Sequence, residues 1–290
     1  MLVVNVVVYP SVVRAQGEER AVYARVLDRA GAPVTSLAAA DFTIREDGVE
    51  REVLSVTPAR DPLRVAVLID TSQAIRPHVS NIRAALRGFI AEMSGRNEVA
   101  LYEFGERPHL LVDYTTDPAR LEDGVGRLYA RSGSGAHVLD AIIEVSRDLR
   151  KREGPRAEIV VITGEGPEFS ERYHMTVLDD LLETDAVLHS FVLQRRTRAQ
   201  VSSAALERDL TLTNGADITG GRHEYLLTSM VLAGQLRKLA TELKNEYRVV
   251  YSRPGALIAP DKINVSVARP GLIVRAPRNP YKGRGGQPRQ

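Results

Sequence analysis

The feature that most constrains the fold is an alternation of apolar runs with amphipathic stretches between Pro62 and Asn245. The runs "LRVAVLID", "EVALYEFG", "HLLVDYT", "AEIVVITG" and "AVLHSFVL" are typical of strands, and continuous runs of this kind indicate strands covered on both faces. Between the runs, apolar residues recur at helical spacing, first at Val79, Ile82, Leu86, Phe89 and Met93. This alternation predicts an α/β block with a doubly wound, mostly parallel (Rossmann-like) sheet and helices on both faces.

Both flanks of the α/β block carry β patterns instead. Residues 17–61 alternate apolar and polar side chains on either side of Asp47-Gly48, which is a typical hairpin turn. Residues 246–276 alternate in the same way. Because neither flank has enough strands to bury a core alone, we expect the two flanks to pack together as a β-sandwich-like module. The α/β block, residues 62–245, would then be an insertion whose two ends lie close together.

The last third of the α/β block has weaker patterns. Arg195 to Thr219 is polar and poorly periodic, so we predict an irregular excursion with a partial helix. The segment "GGRHEYL" favours a short edge strand. A final helix is predicted from leucines at helical spacing, namely Leu232, Leu236, Leu239 and Leu243.

The chain ends and the bulk composition limit the functional classes. Residues 1–16 are either a signal peptide without a basic start or an extra strand, and the basic residues 277–290 are predicted to be disordered. No run of 18 apolar residues exists, so no membrane span is expected. With 39 basic and 37 acidic residues the net charge is only +2, which does not favour a nucleic-acid partner. A signal peptide would make the protein secreted, periplasmic or part of the cell envelope, and its absence would leave a cytoplasmic protein.

The stretch "IDTSQA" places Asp70 at the end of a buried strand, where sites of open α/β sheets lie. A nucleophilic Asp70 of the haloacid dehalogenase type would need a second carboxylate two residues on, where Ser72 stands. No P-loop and no G-x-S-x-G elbow occur, and the six histidines are scattered singly. Zero cysteines exclude thiolate chemistry. We therefore predict that the protein is not an enzyme.

The order of elements, together with "DTSQA", resembles the von Willebrand factor A (VWA) domain. The flanks resemble those of a bacterial VWFA-related group over roughly residues 20–280. The residues that carry this second resemblance are Pro33-Val34-Thr35, Leu37, Asp41-Phe42 and Glu46-Asp47-Gly48, followed by the closing strands "ELKNEYRVVYSRPG" and "INVSVARPGLIVRAP".

The resemblance implies an adhesion site in which one divalent cation bridges to an acidic group of a partner. The family holds the metal with an Asp-x-Ser-x-Ser loop, a Thr from a second loop and an Asp from a third. Asp70 and Ser72 match this pattern, but Ala74, Ala136 and Gly164 stand at the other three positions. Since Mg²⁺ needs about six oxygen ligands, we expect a degenerate site without a metal cofactor. The alternative is a rearranged Mg²⁺ site.

The residues for that alternative are Asp70, Ser72 and Glu165. The function that the resemblance implies is a non-enzymatic adhesion module that binds a protein partner through loops at the C-terminal edge of the sheet. The candidate partner-binding residues are Thr71, Gln73, Arg131, Ser134, His137 and Glu165. A structural or secretion-accessory envelope protein is the rival interpretation. The sequence names neither the partner nor the oligomeric state.

Overall fold

The structure is a computed structural model that describes residues 17–152, 154, 156–193, 202–255 and 260–278. The predictions for residues 1–16 and for 279–290 lie outside this part of the chain. The strands are β1 (Gly17–Leu27), β2 (Phe42–Glu46), β3 (Val49–Arg51), β4 (Val53–Pro58), β5 (Arg64–Ile69), β6 (Glu98–Glu103), β7 (His109–Thr115), β8 (Ala157–Gly164), β9 (Ala186–Leu193), β10 (His223–Leu226), β11 (Tyr247–Pro254), β12 (Ile263–Val267) and β13 (Ile273–Arg275). The helices are α1 (Val79–Met93), α2 (Pro118–Arg127), α3 (Val138–Lys151), α4 (His174–Leu182), α5 (Ser203–Thr219) and α6 (Leu232–Lys244).

A six-stranded sheet with the order β10-β9-β8-β5-β6-β7 forms the centre of the α/β block. Its strands are parallel except β7, which runs antiparallel to β6 at one edge. Helices α1, α2 and α6 pack on one face and α3, α4 and α5 on the other. The predicted doubly wound, mostly parallel sheet is therefore confirmed.

The flanks form two antiparallel sheets that enclose a core of their own. One sheet has the order β13-β1-β11-β4 and the other β12-β2-β3. Phe42 and Tyr247 meet edge to face in this core with ring centroids 5.3 Å apart. Because Tyr247 pairs with Pro58, the strands that leave and re-enter this β-sandwich are neighbours, and the α/β block is inserted between them.

Local signals account for several boundaries. Asp47 and Gly48 have φ angles of 48° and 83°, as a two-residue hairpin turn between β2 and β3 requires. Asp117 accepts a hydrogen bond from Ala119 N at 2.9 Å and caps α2, with Pro118 in its first turn.

The excursion with a partial helix that was predicted for Arg195 to Thr219 is more regular than expected where the chain is described. Residues 203–219 form the continuous helix α5. Ser202 caps its start by accepting a hydrogen bond from Ala205 N, and Gly220 ends it in the left-handed conformation at φ 76°. The helix lacks an apolar stripe because it buries polar side chains such as Arg208 and Thr211.

Pro277 and Arg278 also differ from the disordered tail that was expected to begin there. Pro277 is buried. Arg278 donates its backbone N–H to Ile218 O at 2.9 Å, and its side chain pairs with Asp217 at 2.9 Å. The segment after β13 is therefore held against the end of α5.

Candidate functional site

Three loops meet at the C-terminal edge of the parallel strands. The first loop, residues 70–78, follows β5 and contains a 3-10 turn from Gln73 to His78. The second loop, residues 128–137, joins α2 to α3, and the third loop, residues 164–173, joins β8 to α4. Ligand sites of doubly wound sheets lie at this edge.

Asp70 is fully buried, and both of its carboxylate oxygens accept hydrogen bonds from the protein. Its Oδ1 accepts from Ser72 N at 2.7 Å. Its Oδ2 accepts from Thr163 Oγ1 and from Gly164 N, both at 2.9 Å. The carboxylate thereby ties the first loop to the start of the third.

Ala74 fills the space between the first and third loops. A Cβ added to Gly166 would lie 2.6 Å from the Ala74 Cβ, and one added to Gly164 would lie 3.3 Å from it. Ser72 Oγ is buried beside this contact and has no hydrogen-bond partner among the described residues. The methyl group of Ala74 therefore packs where the family's pattern has a hydroxyl-bearing side chain.

Ala136 is also buried, and its backbone joins the second loop to the third. Ala136 N donates to Pro167 O, and Phe169 N donates to Ala136 O, each at 2.8 Å. These bonds form an isolated parallel bridge between Ala136 and Glu168. The connection between the loops is made by the main chain.

Glu168 and Ser170 extend this connection to the start of α3. Glu168 accepts hydrogen bonds from Ser170 N at 3.0 Å and from Val138 N at 3.4 Å, and Ser170 Oγ accepts from Asp140 N at 3.2 Å. The orphan N–H groups at a helix start are thus satisfied by the third loop. Because only 4% of Glu168 is exposed, burial raises the pKa of its carboxyl to about 7.

Glu165 is half-buried between two anchored neighbours. Gly164 N is bonded to Asp70, and Gly166 O accepts from Nη1 of the buried Arg208 at 3.3 Å. A backbone shift that moved Glu165 into the position of Gly164 would have to break both contacts. The local structure therefore opposes this rearrangement.

The residues at this edge do not fit the family's metal. Three of the five expected side chains have no oxygen, and Asp70 already has three hydrogen-bond donors. Across the described ranges, no group of three His, Cys, Asp or Glu side chains is placed to hold a metal ion. Among the expected metal-binding oxygens in this region, Ser72 Oγ is the one without a hydrogen-bond partner among the described residues.

The candidate partner-binding residues differ in accessibility. Thr71 is buried between the loops. Its Oγ1 accepts a hydrogen bond from Gly105 N at 3.1 Å, and its carbonyl oxygen accepts one from Arg131 N at 2.8 Å. It cannot contact a partner as expected and is instead a structural link between loops. Gln73 is exposed, and its Oε1 accepts from Gly133 N at 2.7 Å. Ser134 is half-buried, and its Oγ donates to Arg131 O at 3.0 Å.

Arg131 and His137 reach the surface but are held in place. The Arg131 guanidinium donates to Glu103 at 2.6 Å and stacks on the exposed Tyr129 ring, 5.1 Å from its centroid. His137 lies 3.6 Å from Asp140 and edge to face with a neighbouring aromatic ring of the third loop. Both side chains have defined orientations.

That aromatic ring belongs to Phe169, which the sequence reasoning missed. Phe169 is 54% exposed and lies against Gly135, where an added Cβ would be 2.6 Å from the ring. Tyr129 and Tyr173 are exposed on the second and third loops as well. An aromatic residue inside the loop "GEGPEFS" was the available signal, because such loops run over the surface.

Comparisons with known proteins agree with this geometry. Residues 65–167 match the von Willebrand factor type A domain family, and the chain contains a VWA-type domain. The structure is similar to that of a von Willebrand factor type A protein from Catenulispora acidiphila, with 12% sequence identity and a TM-score of 0.54 over 85% of this chain and 74% of that one.

A second similar structure is the pilus adhesin SpaC from Lactobacillus rhamnosus GG, with 11% identity and a TM-score of 0.51 over 71% of this chain and 35% of that one. At these identities the similarity establishes the fold alone. No curated protein matches the sequence. None of the helices in the described ranges is long and apolar enough to cross a membrane.

Proposed function

We propose that this protein is a non-enzymatic protein-binding module whose VWA-type domain binds its partner through the three loops without a bridging cation. The observation that supports this most is the direct contact between the loops. Asp70 joins the first to the third, Arg131 N joins the second to the first through Thr71 O, and Ala136 joins the second to the third. A metal is not needed to assemble this surface.

The exposed aromatic side chains give the surface its binding capacity. Phe169, Tyr129 and Tyr173 lie on the second and third loops, and aromatic residues with Arg are enriched in binding hot spots. The similar fold of a pilus adhesin agrees with an adhesive role. We further propose a secreted or envelope location, which fractionation of the native host would test.

The first test is partner capture with the full chain as immobilised bait. Phe169→Ala removes an exposed ring and should reduce recovery of the specific partner at least tenfold, as expected for a hot spot. Leu54→Ala is the matched control, because Leu54 is an exposed apolar residue on β4 of the sandwich. Loss of capture with the Leu54 variant alone would instead support the structural or secretion-accessory role, in which the sandwich is the docking surface.

The second test separates metal-free from metal-dependent binding. Thermal melts of the wild-type protein are compared in excess EDTA and in millimolar Mg²⁺ or Mn²⁺. A ligand that binds only the native state raises stability by about 2.7 kcal/mol at 100 times its Kd. We expect coincident melts, and a rise of several degrees with either cation would refute the metal-free proposal.

A further inference from the structure

A cluster of buried charged side chains joins the β-sandwich to the α/β block at the edge of the sheet opposite the three loops. Arg25 extends from β1 of the sandwich and is 2% exposed. Its Nη2 donates to Gly220 O at 2.7 Å, its Nε lies 3.3 Å from Glu246 Oε1, and its Nη1 lies 3.8 Å from Glu158 Oε2. Its Nη1 also lies 3.2 Å from His189 Nε2, so one sandwich side chain contacts four separate segments of the chain around the α/β block.

Arg156 completes the cluster from the start of β8. Its Nη2 donates to Glu246 Oε2 at 2.8 Å and to Leu243 O at 3.2 Å. Its guanidinium lies 5.4 Å from the ring centroid of Tyr23, which is on β1. Glu246 is therefore held between two arginines, one from each module.

His189 is held in its neutral form by the same surroundings. Its Nδ1 accepts from Arg222 N at 3.1 Å, and its Nε2 lies 2.8 Å from Glu158 Oε2 and 3.2 Å from Nη1 of Arg25. A second proton on Nδ1 would face the Arg222 N–H. Burial, with the nearby guanidinium groups of Arg25, Arg222 and Arg275, lowers the pKa of His189 well below 6.5.

Glu158 is the group of this pair that takes up a proton near neutrality. Burial raises its pKa to about 7, although Arg25 and Arg156 oppose the change. The charged groups that face the pair come from every element packed around it, and they are Arg25, Arg275, Arg156, Arg222, Glu224, Glu242 and Glu246.

We propose that this cluster is a proton-sensitive clamp, which holds the sandwich on the α/β block most tightly in mildly acidic solution. If the junction opens, water reaches Glu158 and His189, and their pKa values return toward 4.5 and 6.5. Between pH 7 and 6.5 the closed junction binds a proton on Glu158 that the open one does not, so acidification favours closure. At lower pH the open junction also binds a proton on His189, which offsets this gain.

These two linkages predict different pH profiles for single variants. Between pH 8.5 and pH 6, the wild-type junction should become about threefold more closed. His189→Gln removes the proton that the open junction binds at low pH, so over the same interval this variant should become about tenfold more closed. Burial also raises the pKa of Glu246, which is present in all three proteins. Apart from that common contribution, Glu158→Gln leaves the opposing proton on His189, so the junction should become about fourfold less closed over the same interval.

Hydrogen exchange of the full chain, followed by mass spectrometry, tests the clamp. Protection factors of peptides from β1 and β13 are compared between the two pH values, with peptides from β5 as the internal reference. Glu168 contributes equally to the pH dependence of the wild type, His189→Gln and Glu158→Gln. Differences between their protection profiles therefore report on the cluster. Opposite pH trends for the two variants support the proposal, and a common trend would overturn it. If a variant does not fold, as judged by circular dichroism, a wild-type junction with no change in protection relative to β5 would also overturn it.

Discussion

The Glu168 carboxyl offers a direct test of how the third loop is anchored, through the substitution Glu168→Gln. The pKa of this carboxyl is raised from 4.5 to about 7, which means that the folded protein binds its proton more tightly than the unfolded chain does. Its stabilising effect is complete below pH 4.5 and is lost as the pH rises through 7. At about 1.4 kcal/mol per pH unit of that interval, ionisation of Glu168 costs the folded state about 3 kcal/mol.

Glutamine never ionises, and it keeps one acceptor oxygen for Ser170 N while its amide NH2 replaces the oxygen that accepts from Val138 N. The protonated glutamic acid at pH 4.5 likewise has one carbonyl oxygen and one donor group. Urea unfolding at a series of pH values should give the variant a free energy of unfolding close to the wild-type value at pH 4.5. As the pH rises, the wild-type protein should become less stable than the variant. The difference in the free energy of unfolding should reach a plateau of about 3 kcal/mol above pH 8, reduced by the weaker bonds that a neutral acceptor makes. Glu171→Gln removes an exposed carboxyl from the same loop and is the control. Parallel profiles for wild type and Glu168→Gln would refute the assigned burial of this carboxylate.

Three further variants test the site and the fold. Asp70→Ala leaves three donors of the first and third loops without their acceptor, and urea unfolding should show a loss of more than about 2 kcal/mol; wild-type stability would contradict the described bonds. Gly220→Ala puts a Cβ 2.4 Å from a backbone carbonyl carbon of the segment after β13, at φ 76°, so thermal melts should show a loss of about 1 kcal/mol or more. The triple variant Ala74→Ser, Ala136→Thr and Gly164→Asp restores the family's oxygen donors, and Mg²⁺ should raise its melting temperature by several degrees. A folded triple variant without this response would show that the loops are wrongly aligned with the family's pattern.

The elements with strong local signals could be predicted from the sequence, whereas apolar periodicity predicted only a partial helix in place of α5. Asp117-Pro118 and Asp47-Gly48 carry turn and capping chemistry that acts over a few residues. In α5, by contrast, Arg208 and Thr211 are buried among neighbouring elements, so the polarity pattern that normally separates core from surface is absent. The helix was still marked at both ends by Ser202 and Gly220, and capping residues would have predicted it where periodicity failed.

In the candidate site, too, some features could be predicted from the sequence and others could not. Missing oxygen donors at Ala74, Ala136 and Gly164 are a property of the residue types and can be recognised in the sequence alone. The connections that the structure shows between the loops are made by backbone bonds to Ala136 and by the carboxylate of Glu168, and these contacts depend on tertiary structure. The same limit explains Thr71, whose burial comes from the approach of Gly105 and Arg131.

The junction cluster shows why a strand pattern can indicate a buried face without revealing what covers the other one. In β1, Val22, Ala24 and Val26 point into the sandwich core, and alternation assigns Tyr23 and Arg25 to the opposite face. A polar face is ordinarily solvated, yet here it lies against the α/β block, and Arg25 is as buried as the core residues around it. Its partners are distant in sequence: His189, whose ring it contacts at 3.2 Å, is 164 residues away. A charged side chain on the polar face of a flanking strand can therefore belong to a module interface, and the decisive observation is which carboxylates the inserted domain brings to that face.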